Sequence, residues 1–98
     1  MSRVVLLTSQ LSLEPRGNRR ERLVIFSAML SLAAKGVSKT ELMYKVGLSS
    51  AQMDRFMPVL IKAELLEVFR HSRGFTYQTT DKGRSFLNTF DSLVRLLD

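Results

Sequence analysis

The residues of this chain that are best suited to a chemical role are cations. Fifteen Lys and Arg against nine Asp and Glu give its 98 residues a formal charge of +6 and a pI near 10.3. An excess of this size on so small a chain attracts phosphate groups. Arg70 and Arg73 lie on either side of His71, and Lys39 and Lys45 lie within one short segment. These residues favour the binding of an anion over the making or breaking of a bond.

Patterns typical of enzymes and metal sites are weak throughout. The chain has no cysteine and a single histidine, His71, which excludes a thiolate nucleophile and argues against a zinc site. It contains no Gly-rich phosphate loop, nucleophile elbow or paired-carboxylate motif. We therefore expect no enzymatic activity, no catalytic residues, no metal and no other cofactor, and the sequence indicates no small-molecule substrate.

Capping signals predict where the first two helices begin. The segments 18–21 and 38–41 each place a polar N-cap residue three positions before a glutamate. The first helix should run through Lys35 to Gly36. The second should be short, at about 39 to 46, because Gly47 supplies a left-handed C-terminal position. Both segments should bury one apolar stripe.

A third helix follows after a short turn. Ser49 or Ser50 can cap it, and its apolar spacing extends over about 50 to 64, with a bend expected at Pro58. Two helices separated by a turn of about four residues make a helix-turn-helix, whose second helix is shaped to enter a DNA major groove.

The remaining chain reads as a hairpin and a last helix. Apolar residues alternate over 66–70 and 75–79, which predicts two short strands with one buried face, joined by a tip at residues 71–74. Thr80 then caps a helix that extends to about Leu97. The predicted fold is therefore mainly α with a small β-hairpin, a winged helix-turn-helix with a C-terminal dimerisation helix.

The chain divides into two parts on this reading. Residues 1–17 form an N-terminal arm, either a short strand or flexible, and residues 18–98 form a winged helix-turn-helix DNA-binding domain that includes the C-terminal helix 81–97. The apolar run 4–7 is too short for a signal peptide or a membrane span. We therefore expect a cytoplasmic, nucleoid-associated protein without a membrane partner.

The candidate DNA contacts lie on the helix-turn-helix and at the hairpin tip. Arg can read guanine and Gln can read adenine through paired hydrogen bonds, so Gln52 and Arg55 on the third helix are the candidate base readers. An ordinary polar outer face would look the same in sequence. The other residues are expected mainly at phosphates. The full set is Lys39, Thr40, Lys45, Ser50, Gln52, Arg55, Lys62, Arg70, His71 and Arg73.

The last helix carries a broad apolar stripe. It either packs back on the first helix or pairs with the same helix of a second copy, and so many large apolar side chains favour a homodimer. The predicted dimerisation residues are Phe86, Phe90, Leu93, Val94 and Leu97.

Two runs carry a family resemblance. Lys39-Thr40-Glu41-Leu42-Met43-Tyr44 and Tyr77-Gln78-Thr79-Thr80-Asp81-Lys82-Gly83 resemble segments of the small archaeal "ten-a" winged-helix DNA-binding proteins, and the likeness covers roughly residues 20 to 90. The resemblance implies a homodimer joined through the terminal helix that binds double-stranded DNA as a chromatin-like or regulatory protein. The alternative is a winged-helix module for protein–protein contacts in a larger complex, since a fold does not fix a function.

Overall fold

The computed structural model describes residues 19–97, and the predicted order of elements is present in them. The N-terminal arm (1–17) and the cap expected at Asn18 lie outside the described residues. The elements are α1 (Arg19–Leu32), α2 (Lys39–Val46), α3 (Ser50–Lys62), β1 (Leu66–His71), β2 (Gly74–Thr79) and α4 (Asp81–Leu97). This order confirms the predicted winged helix-turn-helix fold.

Local hydrogen bonds explain where α2 and α3 begin. The Ser38 hydroxyl accepts a bond from the backbone N–H of Glu41 at 3.1 Å. At α3 the cap is Ser49, whose hydroxyl accepts from the N–H of Gln52 at 3.1 Å, while the Gln52 side-chain oxygen accepts from the N–H of Ser49 at 2.9 Å. This reciprocal pair is a complete capping box, which the sequence had left open between Ser49 and Ser50.

Two helices end earlier than the sequence predicted, because other elements take their last carbonyl groups. α1 ends at Leu32 and not at Gly36. The buried Thr79 hydroxyl of β2 donates to the Leu30 carbonyl at 2.6 Å, and the Thr79 N–H donates to the Ala33 carbonyl at 3.0 Å. α3 ends at Lys62 and not near residue 64, where the backbone turns left-handed.

The core lies where α1, α2, α3 and the base of the hairpin meet. Met29 and Leu30 from α1, Leu42 from α2 and Leu60 from α3 are fully buried. Leu66, the first residue of β1, closes this core from the sheet side. The core therefore fixes the angle between α2 and α3, the two helices of the helix-turn-helix.

The hairpin projects beyond that core. Its strands pair in antiparallel register from Leu66 opposite Thr79 to His71 opposite Gly74, and Val37 adds one isolated bridge to Tyr77. The prediction of a single buried face along both strands was wrong for their outer half. Only the base is buried, because the helices do not extend under the tip, and apolar residues further out are exposed.

The side chains of Thr80 and Lys82 connect the start of α4 to the residues that follow α3. The Thr80 hydroxyl donates to the Glu64 carbonyl at 2.7 Å and accepts from the Gly83 N–H at 2.9 Å. The Lys82 ammonium donates to the Ala63 carbonyl at 2.9 Å. These bonds satisfy carbonyl groups that the end of α3 leaves without a helical partner.

α4 packs on the domain through its first half only. Phe86 and Leu87 contact the core, and the Phe90 ring stacks on that of Phe86 with centroids 6.5 Å apart. Further along, Leu93 and Leu97 are 52% and 87% exposed. Packing on α1 thus accounts for part of the stripe and leaves the rest uncovered by residues 19–97. Within those residues no helix has the length and apolarity needed to cross a membrane.

Candidate nucleic-acid interface

The ten predicted contacts all lie on α2, α3 or the hairpin. Nine of the side chains are exposed and one, Gln52, is half-buried. Exposure alone does not make a cation available to an anion, so the partners of each group decide which of them could bind. The structure separates eight of the ten into cations that are already paired, groups used to hold the fold, and cations without an ion pair in the described residues. The other two, Thr40 and Ser50, are exposed polar residues at the starts of α2 and α3.

The two lysines of α2 are paired. Lys39 Nζ lies 2.8 Å from Oδ1 of Asp54 on α3, and Lys45 Nζ lies 2.9 Å from Oε2 of Glu41 one turn earlier. The hydrogen bond to Asp54, and then its charge, raise the pKa of the Lys39 ammonium above its ordinary value. Exposed pairs of this kind are weak, so a phosphate could displace the carboxylates. Until that happens these lysines are neutralised.

Gln52 has a structural task that competes with base reading. Its side-chain oxygen is engaged in the capping box of α3. Reading adenine needs both the oxygen and the nitrogen of the amide, so Gln52 would have to give up its bond to the Ser49 N–H. Of the two predicted base readers, Gln52 is therefore engaged in the fold, whereas Arg55 takes no part in the cap.

Arg55 and Lys62 are exposed on the outer side of α3. The Arg55 guanidinium lies 5.5 Å from the ring centroid of the neighbouring Phe56, a distance typical of a cation–π contact. Within the described part of the chain, no carboxylate forms an ion pair with either cation. Neither side chain has to leave a carboxylate of the described residues to meet an anion.

The hairpin tip is held by its histidine. His71 Nδ1 accepts a bond from the Arg73 N–H at 3.2 Å, and Nε2 lies 2.9 Å from the Thr76 hydroxyl. We assign the proton to Nε2, because Nδ1 acts as an acceptor. Arg70 and Arg73 are exposed, and no carboxylate in residues 21–97 pairs with them. His71 thus shapes the turn that presents the two arginines.

Sequence reasoning missed several features of this surface. Asp54 places a negative charge on α3 beside Lys39. Tyr44 is 83% exposed on α2, and Phe69 and Phe75 are 47% and 52% exposed on the hairpin. The predicted strands and tip already place Phe75 opposite Arg70. The exposure of Phe69 and Phe75 could not be predicted, because the sequence does not show where the core stops covering the strands.

The fold and the site together define a winged-helix domain: a capped helix pair whose second helix exposes Arg55 and Lys62, followed by a hairpin that exposes two arginines. The chain belongs to the winged helix-turn-helix family, whose model matches residues 19–98. The winged-helix resemblance predicted from the sequence is thereby confirmed. No curated protein matches the chain.

Solved structures share this fold at low sequence identity. Sso10a-2, a DNA-binding protein from Sulfolobus solfataricus, is 16% identical with a TM-score of 0.69, over 76% of this chain and 78% of that one. A MarR mutant from E. coli, complexed with operator DNA, is 16% identical with a TM-score of 0.63, over 95% and 72%. NolR from Sinorhizobium fredii is 20% identical with a TM-score of 0.57, over 86% and 93%. At these identities the likeness is one of fold.

Proposed function

We propose that this protein binds double-stranded DNA and acts as a transcriptional regulator or a chromatin-like protein, in the cytoplasm and on the nucleoid. α3 enters the major groove, and the hairpin lies on the backbone or in the minor groove. The observation that carries the proposal is that Arg55 and Lys62 on α3, and Arg70 and Arg73 on the hairpin, are exposed and have no ion-pair partner in the described residues.

Two further lines support DNA as the ligand. The formal charge of +6 favours a polyanion over a neutral partner. Two proteins with this fold are described as DNA-binding or were solved with operator DNA, Sso10a-2 and MarR. The wing and the recognition helix supply the phosphate and base contacts that such a complex needs.

The Lys39–Asp54 pair should reduce this affinity. When a phosphate approaches α2, Lys39 must exchange the Asp54 carboxylate for it, and the carboxylate is left close to the DNA. Its charge then repels the backbone, which costs part of what Lys39 contributes. A carboxylate on α3 is tolerable only where a base amino group can donate to it.

We expect the affinity of the wild-type protein for duplex DNA to fall steeply with salt, and Asp54→Asn to tighten binding several-fold at low salt. The four cations on α3 and the hairpin that have no ion pair in the described residues predict a slope of log affinity against log salt of about −3 to −4. The Asn variant releases Lys39 and should steepen the slope by about one. Fluorescence anisotropy with a labelled duplex at a series of salt concentrations measures both quantities.

Asp91→Asn is the matched control for that measurement. It removes an equal charge from the Asp91–Arg95 pair on α4, at 3.5 Å, away from α2 and α3. It should leave affinity and slope close to the wild-type values. Absence of binding to any duplex at low salt, or a flat salt dependence, would contradict the DNA-binding proposal. Equal gains from both variants would show that only net charge matters.

We propose that two copies associate through α4. Phe86, Phe90, Leu93 and Leu97 follow the spacing of one helical stripe, which the domain covers at its start and leaves exposed at its end. Burying side chains as large as Leu93 and Leu97 away from water is favourable. A second copy presents the same stripe, so the two stripes can bury each other. The exposed half is the part of α4 available for the partner.

Light scattering during size-exclusion chromatography should give about twice the chain mass of 11.2 kDa. Leu97→Ser should raise the dissociation constant of the dimer about tenfold or more, because each dimer loses two buried leucine side chains. Leu96 is 81% exposed but lies off the stripe, so Leu96→Ser should leave the dimer intact. A wild-type monomer that becomes stable only with another protein would favour the protein-interaction module.

A further inference from the structure

The outer half of the hairpin exposes large apolar side chains where a purely electrostatic wing needs none. Val68 is 42% exposed, Phe69 47% and Phe75 52%. Apolar patches that a fold leaves uncovered often mark interaction sites. Their position on the projecting part of the hairpin, and not at its base, suggests that they serve a partner and not the core.

Phe75 is the ring closest to the tip, and it is accompanied by charge. It follows Gly74 at the start of β2 and lies directly opposite Arg70, so the ring and the guanidinium share one face of the hairpin. Phe69 lies opposite Thr76, on the other face and further from the turn. The His71 bonds to Thr76 and to the Arg73 N–H hold the turn in place.

The charges around Phe75 identify the chemistry of the partner. Arg70 and Arg73 carry no carboxylate partner from the described residues, so the surface next to the ring is cationic. A partner for an apolar ring on a cationic surface should offer flat apolar faces bordered by anions. Stacked base pairs between two phosphate backbones have this arrangement, whereas a neutral or purely apolar occupant does not.

We propose that the wing inserts the Phe75 ring between two base pairs from the minor groove and kinks the duplex, while Arg70 and Arg73 bind the flanking phosphates. The proposal rests on the DNA binding proposed above and adds a deformation to it. Partial unstacking costs least at pyrimidine–purine steps such as TA and CA. Part of the sequence preference should therefore come from a step that no hydrogen bond reads.

The test uses the full chain and a short duplex labelled at both ends for energy transfer, with 2-aminopurine at a central TA step. Wild-type protein should shorten the end-to-end distance and raise the 2-aminopurine fluorescence, because that base is quenched while stacked. Phe75→Ala should lose both signals at saturation, weaken binding by at most about tenfold, and keep the salt slope. Phe69→Ala, of the same type and of similar exposure, should retain both signals.

Thermal unfolding by circular dichroism checks that both variants are folded, which half-exposed positions allow. If Phe75→Ala bends and unstacks the duplex as the wild type does, or if Phe69→Ala loses both signals as well, the wedge is refuted while DNA binding stands. If wild-type protein binds with a steep salt dependence but leaves the duplex straight, the wedge is likewise refuted. A wild type that binds no duplex refutes both proposals.

Discussion

Gly83→Ala is expected to lower the free energy of unfolding by about 3 kcal/mol. A Cβ on Gly83 would overlap the carbonyl oxygen of Leu65 and lie 2.5 Å from Cγ2 of Thr79. The carbonyl belongs to the backbone, so it cannot rotate away as a side chain would. α4 would have to move off the turn that follows α3.

Opposing terms decide the size of this effect. In a helix, Ala is favoured over Gly by about 1 kcal/mol, which works against the loss. Moving α4 weakens the Thr80 and Lys82 bonds to the carbonyls of Glu64 and Ala63, each worth about 1 kcal/mol, in addition to the strain. The overlap and the lost bonds therefore outweigh the gain in helix propensity.

Thermal and urea unfolding monitored by circular dichroism measure the loss, and a change of 3 kcal/mol corresponds to a fall in Tm of about 12–24 °C. Gly47→Ala is the matched control. Gly47 has a left-handed φ of 83°, with no atom within 4 Å of the position of a Cβ, so Ala there should cost only about 1 kcal/mol of backbone strain. Equal losses of unfolding free energy at the two glycines would show that the contact between Gly83 and the Leu65 carbonyl does not limit the residue at position 83.

Arg55→Ala is expected to weaken binding to the preferred duplex by about 1–3 kcal/mol, roughly 5- to 150-fold, and binding to unrelated sequences by much less. Arg55 is the free cation on the outer side of α3 whose planar fork can pair with guanine. Arg73, at the hairpin tip, should contact only phosphate. Arg73→Ala should weaken every sequence alike and reduce the salt slope by about one.

The preferred duplex comes from selection out of a random pool, and anisotropy against this duplex and a shuffled one measures the difference. Arg55→Lys keeps the charge but loses the fork, so it should keep the salt slope and lose the preference. If Arg55→Ala and Arg73→Ala weakened both duplexes equally, the division into a base reader and a phosphate contact would be wrong. If selection enriched no motif, the chromatin-like role would be favoured over the regulator.

The sequence located the elements well because their signals are local. Ser38 and Ser49 cap helices whose first turns lie within three residues of them, so spacing alone predicted the start of α2 and placed that of α3 to within one residue. Helix ends were predicted less well, since α1 and α3 end where β2, Thr80 and Lys82 take the last carbonyl groups. Those partners lie 16 to 49 residues away in the chain.

In the candidate site, too, the sequence predicted what depends on local spacing and missed what depends on distant partners. Residue type and position identified the cations on α2, α3 and the hairpin, but not which of them are free. Lys39 meets Asp54 15 residues away, and Gln52 is drawn into a cap. Arg70 and Arg73 are left unpaired by the described residues because the hairpin projects away from the carboxylates of the helices.

The sequence by itself determined the winged helix-turn-helix order, the basic character of the surface and the apolar stripe of α4, because each depends on composition or on spacing within one element. Only the tertiary structure decided how far the core extends. The core does not reach Phe75 on the hairpin or Leu97 on α4, so both side chains are exposed. The tertiary structure also brings Gly83 of α4 against the backbone of Leu65, in the turn after α3. Burial and ion pairing depend on distances between elements, and local spacing does not specify those distances.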